Sequence, residues 1–393
     1  MTLFNKKYAS LYDDINSGKN YMIIGRRFLK ILMISAAVAA AFACKKDDEE
    51  EEALPSLGGM VKFSLDPYME VNSTFRVEPS GIYHPEGKGF GYYCKASWKE
   101  SNDTIKLENS DSFIEEKMLF TFPEDSVGTF TISCTAFASG YYSTSVSRYV
   151  TTVSRERSLI DTLLGYDATA YPAGEVIDNR DGEGRTYRTV RIGNAEWFAE
   201  NLAYKGLDHA SGDNQGKAVL GIPYQNCEAM SDIFGRYYTW NEAMGLDEDG
   251  KPSGVKLCPD GWTVPTDEDW KNLAAELSDD PSVMEAGKIF PGIAGKIMVE
   301  AKFNSEDNEM WEYWPAVKIT NETGMSVIPC GFANISGTAG SFESAMTFAA
   351  FWTATEKDTD QAYIRYINCY EPDIFITSSP KVSFGAPVRC IKE

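Results

Sequence analysis

From about Gly59 to Ser154 the chain is cut into seven short runs of β-branched and aromatic residues: VKFSL, TFRVEP, FGYYCKASW, DTIKLEN, KMLFTF, GTFTISCTAFA and SVSRYVTTVS. Gly, Asn, Asp, Ser and Pro punctuate them. Several alternate apolar with polar residues, and alternation at period two gives a strand one face to bury. Seven such runs in about 95 residues predict an antiparallel sandwich over 59–154. Cys94 and Cys134 lie in two of the runs, where an oxidising compartment allows them either to pair or to remain thiols.

The stretch FPEDSVGTFTISCTAFASGYYSTSVSRYVTTV resembles the late strands of immunoglobulin-like and PKD-like modules, in which an acidic turn and a glycine, here Gly128, precede a long alternating strand. The resemblance implies an all-β spacer and no function of its own. The immunoglobulin cysteine–tryptophan spacing is not met, since Trp98 follows Cys94 by four residues.

Upstream, RRFLK leads into ILMISAAVAAAFA and then Cys44. Ile31–Ala43 is 13 residues, short of the roughly 20 that span a bilayer. A basic segment, a short apolar stretch and small residues before a break are the marks of a secretory signal. Ala41, Ala43 and Cys44 fall where a bacterial lipobox requires, so residues 1–43 resemble a lipoprotein signal peptide and Cys44 becomes the expected lipidation site. Met1–Tyr21 lacks signal character, which makes Met22 a candidate start. KKDDEEEE follows Cys44, and physically a run of six acids is a solvated, self-repelling tether, here 44–58. It also resembles the acidic tag after the lipid-bearing cysteine in surface lipoproteins of the Bacteroidota. That resemblance implies an outer-membrane protein displayed at the cell surface.

The 58 acidic and 37 basic side chains give a net charge of −21. Removal of 1–43 takes away six basic and two acidic residues, leaving −25 over 350 residues. Such a chain repels phosphate backbones, so no nucleic-acid partner is expected. Acyl chains, not charge, are expected to hold it to the membrane. With only His84 and His209, far apart in sequence, His-rich zinc sites lack material and Ser–His–Asp chemistry is disfavoured.

A connector, 155–173, follows the sandwich, and beyond it the character changes. Seven of the eight tryptophans lie there: Trp197, Trp240, Trp262, Trp270, Trp311, Trp314 and Trp352. TDEDW at Thr266 supplies a cap and an acidic first turn, and Trp270, Leu273, Ala274 and Leu277 share one helical face. A second helix is expected around Thr239–Met244. In order come DNRDGEGRTYRTVRIGNAEWFAENLAY from Asp178, FGRYYTWNEA from Phe234, CPDGWTVPTDEDW from Cys258, FWTATE from Phe351 and the closing APVRCIKE. This ordered set resembles the Fibrobacter succinogenes major paralogous domain, over about 174–393 and most loosely over Asp279–Asn334. Read physically, the blocks are scaffold: a hairpin at Asp181-Gly182, packed corners at Trp197 and Trp262, and aromatics for a core. Cys258 and Cys390 are the expected disulfide, closing the module end to end. Cys227, Cys330 and Cys369 cannot all pair among themselves. By analogy the helix, tryptophan turns and late returning strand resemble a C-type-lectin-like or formylglycine-generating-enzyme-like fold, so the expected class is multi-domain, an all-β sandwich followed by an α+β module.

Three chemistries were open to these residues. Paired carboxylates from Glu196, Glu200, Glu242, Asp267, Glu268, Asp269 and Glu356 offer a glycosidase arrangement, but any acidic chain supplies such pairs by chance. The acidic turns Asp178, Asp181, Glu183 and Asp247, Glu248, Asp249 fall short of the six to eight oxygens calcium takes, and no metal or cofactor is expected. MWEYWPAV places Trp311, Tyr313 and Trp314 together, a surface for sugar rings if exposed and core filling if not. The expectation is a lipid-anchored surface protein with a non-catalytic module binding an extracellular glycan or protein. A structural or assembly role in the envelope is the alternative, and a carbohydrate-active enzyme the third reading.

Overall fold

The computed structural model describes residues 53–98, 104–105, 118–156, 173–180, 182, 184–206, 219–284, 287–299, 311 and 316–393. The signal, most of the tether and most of the 155–173 connector lie outside the described residues. The fold is mostly strand, in several sheets, with few helices.

Among the described residues, nine strands make the N-terminal layer: β1 (Gly58–Lys62), β2 (Tyr68–Glu70), β3 (Thr74–Val77), β4 (Ser80–Tyr83), β5 (Gly91–Trp98), β6 (Thr104–Ile105), β7 (Met118–Thr121), β8 (Gly128–Phe137) and β9 (Thr144–Val153). One sheet runs β2-β9-β8-β5-β6, and the pairs β1-β4 and β3-β7 form two smaller sheets. On β8, Phe130, Ile132, Cys134 and Ala136 point inward to a core shared with Val61, Val77, Ile82 and Phe122 from the smaller sheets or their flanks. The alternate residues carry hydroxyls that pair across to β9, Ser133 with Ser147 and Thr135 with Ser145, each at 2.8 Å. Period two therefore sets the two faces as the sequence requires. Cys94 and Cys134 face each other in register on β5 and β8 and are joined by a disulfide, so this bridge fastens neighbouring strands of one sheet.

Glycines opposite aromatics recur in these sheets. Gly58 pairs with Tyr83 and Gly91 with Phe137, and in each case the ring lies over the glycine where a Cβ would collide. Such pairs restore packed area at positions that contribute no side chain.

The sandwich is packed onto the rest of the chain. Tyr68 of β2 meets Tyr224 edge-on at 5.4 Å, Val153 joins the main core of the C-terminal region, and Arg155 Nε donates to Asp232 Oδ2 at 2.8 Å. Pro55–Glu393 accordingly form one compact unit.

In the C-terminal region β10 (Ala173–Asp178), β11 (Arg185–Ile192) and β12 (Ala195–Phe198) form a meander. The short strand Ile391–Lys392 pairs with β12 on one side and with Trp262–Thr263 on the other, so the last residues lie inside the sheet. A second sheet orders Ile289–Phe290, Ile374–Pro380, Gln361–Asn368 and Phe348–Glu356, and a third orders Ala339–Glu343, Phe332–Ser336 and Phe384–Gly385. The helix Asp267–Leu277 starts at Thr266, whose hydroxyl caps Asp269 N while the Asp269 carboxylate returns to Thr266 N. That reciprocal box contributes about 1 kcal/mol. Trp270, Leu273 and Ala274 are its buried face. The expected second helix is one turn, Trp240–Ala243, boxed in the same way by Thr239 and Glu242. No described helix is long and apolar enough to cross a membrane.

Candidate functional site

Of the sequence-predicted residues, Cys44, Tyr313 and Trp314 lie outside the described residues. Trp311 is described and fills the core, one of the two alternatives its sequence left open, so it is not part of a stacking surface. It is 2% exposed, packs in the main core, and its indole NH donates to Val327 O at 3.0 Å. A ring enclosed in this way satisfies its one donor internally and leaves no face for a ligand. Trp197, Trp240, Trp262, Trp270 and Trp352 are buried as well.

Cys258 is bonded to Cys390, 132 residues away. Cys227, Cys330 and Cys369 form no disulfide. Burial pushes the Cys330 thiol up to about 12, so at neutral pH it is a protonated core side chain rather than a nucleophile.

The acids considered for catalysis are employed as struts. Glu196 accepts from Thr189 and from Lys392 at 2.8 Å, and the Lys392 contact is the main reason its carboxyl titrates below the usual glutamate value. Glu200 accepts from Arg188 N at 2.8 Å, Glu242 caps a helix and binds Gly221 N, and Glu356 holds Lys381 at 2.9 Å. Asp267 takes both Nε and a terminal nitrogen of Arg365, Glu268 lies 3.5 Å from Lys271, and Asp269 closes the Thr266 box. In the Asp247 turn, Lys251 Nζ sits 3.0 Å from Asp249, and Asp178 is gripped twice by Arg180. Asp181 and Glu183 lie outside the described residues. Among the described residues no three metal-ligating side chains converge.

Buried guanidinium groups explain the arginines of the recurring sequence blocks. Arg236 spans Leu220 O and Gly221 O at 2.9 Å each and pairs with Glu228. Arg389 donates to Asn201 Oδ1 at 2.8 Å, to Ser326 O at 3.0 Å and to Met325 O. Arg389 thereby holds Ser326 in a left-handed conformation, φ 50°, that its Cβ disfavours. Arg365 lies 3.9 Å above the Phe290 ring. The rigid fork of arginine suits such multi-point anchoring.

A row of aromatic rings crosses two of the sheets of this region. Phe384 stacks on Phe332 at 5.1 Å, Phe332 meets Phe348 at 5.8 Å, Phe348 stacks on Tyr366 at 5.0 Å, and Tyr366 on Phe375 at 5.1 Å. Phe332, Tyr366, Phe375 and Phe384 are only partly buried, while Phe348 is buried at the centre of the row. Ile289, 45% exposed, pairs in register with Phe375 and extends the row by one apolar side chain. Rings left partly open in a row make an apolar strip, a kind of surface that favours apolar or sugar-ring contacts. Sequence reading missed this row, because its members come one from each of five strands and meet only through sheet register. The signal present locally is faint: single aromatics in FANIS, IRYIN, DIFIT and SFG, and the first of three in FAAFW.

No curated protein matches the chain. Among solved structures, a nucleoside hydrolase-related hypothetical protein from Saccharophagus degradans, described as associated with carbohydrate metabolism, is 19% identical over 28% of each chain, with a TM-score of 0.19. The chain thus spans 28% of the length of that structure. The Fibrobacter succinogenes major domain matches residues 190–392, a stretch that takes in the blocks from β11 to Arg389 and Cys390. With more than half of its length matched, the chain belongs to the Fibrobacter succinogenes major domain family.

Proposed function

We propose that the protein is a lipid-anchored outer-membrane protein, acylated at Cys44 and exposed at the cell surface, whose C-terminal module binds an extracellular glycan or surface protein without catalysis. In this reading an immunoglobulin-like sandwich carries a C-type-lectin-like module. The observation that carries it is the aromatic row: an apolar strip left partly open on a module whose candidate catalytic carboxylates are engaged in fixing backbone and side chains. Residues 157–393 hold 20 basic and 37 acidic side chains, a net −17, so the favoured ligand is neutral or cationic rather than an acidic polysaccharide.

The test is a glycan-array and matrix-protein screen with the mature chain, repeated with Tyr366→Ser/Phe375→Ser. Binding to a neutral glycan or a protein that the double variant reduces at least tenfold supports the reading. Absence of binding, or binding indifferent to both substitutions, overturns the assignment of the row.

A further inference from the structure

Five exposed large hydrophobic side chains gather at one end of the sandwich, Met60, Tyr83, Phe90, Tyr93 and Tyr142, with exposures of 37–70%. Contacts between their segments place them there, with Met60 O beside Gly81 on the strand that carries Tyr83. Tyr142 N donates to Pro55 O at 2.9 Å, and Ser56 bridges to Tyr142. Tyr83 lies opposite Gly58 and covers it, leaving the other ring face to solvent. His84, next in sequence, meets Tyr141 edge-on at 4.4 Å. Phe90 stands against Tyr92, and Tyr93 against Phe137 on the adjoining strand. The described chain enters the compact unit at Pro55, so the aromatic end is also the end nearest Cys44 in sequence.

We propose that this end is a membrane-contact surface, seated in the lipid headgroup layer when the protein is anchored. The inference rests on the lipid-anchor reading of Cys44 and adds an orientation to it. Ten residues lie between Cys44 and Pro55, a span of eleven Cα steps. Fully extended they reach about 38 Å, so this end of the sandwich is the part of the described fold the anchor keeps closest to lipid. Tyrosine, with an apolar ring and a polar tip, is the side chain enriched at that depth. Charge points the same way. Residues 57–156 hold nine basic and thirteen acidic side chains, a net −4, against −17 for the remainder beyond them. The two ions of the loop before Phe90, Glu86 and Lys88, pair at 2.5 Å, and Tyr141 donates to the same carboxylate. Six consecutive acids between Cys44 and Pro55 favour water over headgroups by their charge alone.

Two measurements with phosphatidylethanolamine/phosphatidylglycerol vesicles test it. First, the mature chain from residue 45, which retains the whole compact unit but no acyl chain, is floated with the vesicles. Flotation that changes little between low and high NaCl and falls at least tenfold in Met60→Ser/Tyr142→Ser is expected; no flotation of the parent overturns the proposal. Second, hydrogen exchange is followed on the acylated chain in the same vesicles, which needs no variant. Slowed exchange over 81–93 and 138–143 is expected, and unchanged exchange with an acyl mass present on Cys44 overturns the membrane contact. Absence of the acyl mass overturns the anchor reading instead, and the flotation then decides the surface by itself.

Discussion

The sandwich and the C-terminal module are both built from short strands, yet they are held together differently. In the sandwich, one alternating strand decides its neighbours: β8 sends Phe130, Ile132 and Cys134 inward and hydroxyls outward, and its disulfide merely clasps two residues already in register. In the module the strands around Trp262 and Ile391 are two residues each, too short to specify themselves. Buried guanidiniums and a disulfide of long reach do the specifying. Distributed apolar burial tolerates single changes, whereas a point anchor concentrates several satisfied acceptors on one side chain.

The sharpest way to break that comparison is Arg389→Ala. It orphans Asn201 Oδ1, Met325 O and Ser326 O together. At about 1–3 kcal/mol per unsatisfied buried acceptor, the expected loss is about 4 kcal/mol or more, read by urea unfolding and by new protease cleavage near 320–330. A loss below about 1 kcal/mol would show that the arginine is not an anchor.

Next come the two disulfides. Cys258→Ser/Cys390→Ser is expected to cost about 2–4 kcal/mol. Cys94→Ser/Cys134→Ser, closing 40 residues rather than 132, should cost about 1 kcal/mol less by loop entropy. Equal or reversed losses in paired denaturation curves would contradict the contrast. Smaller still, Ser133→Ala/Ser147→Ala removes one cross-strand hydroxyl pair and should cost about 0.2–1 kcal/mol, since both groups face solvent.

The least effect belongs to pH. Glu196 titrates below its ordinary value of 4.5 because Lys392 bonds its carboxylate. Its contribution is therefore fully present above 4.5 and lost as pH falls through the depressed value. Lys392→Met should flatten the acid limb of a Tm–pH profile and leave the neutral region nearly unchanged; an unaltered limb would remove the pair from the stability of the sheet.

Legibility follows the same line. The sandwich runs and the Thr266 helix are readable because period and capping act over a few residues. The Cys258–Cys390 closure is readable as a family pattern. Trp311 shows the limit: its alternation with Tyr313 is visible, but burial depends on Val327 O, a backbone group in a loop held by Arg389 and Asn321. The aromatic row is farther out of reach, since Phe332, Phe348, Tyr366, Phe375 and Phe384 become neighbours only after several sheets have formed.

The placement of Ile391–Lys392 between β12 and Trp262–Thr263 has a consequence for biosynthesis. Both partner strands precede these two residues in the chain, so the sheet stays open until the long stretch between Thr263 and Ile391 has been made. A message cut anywhere between Thr263 and Cys390 would yield a chain with an open seam beside Trp197 and an unpaired Cys258, a state that proteases can recognise.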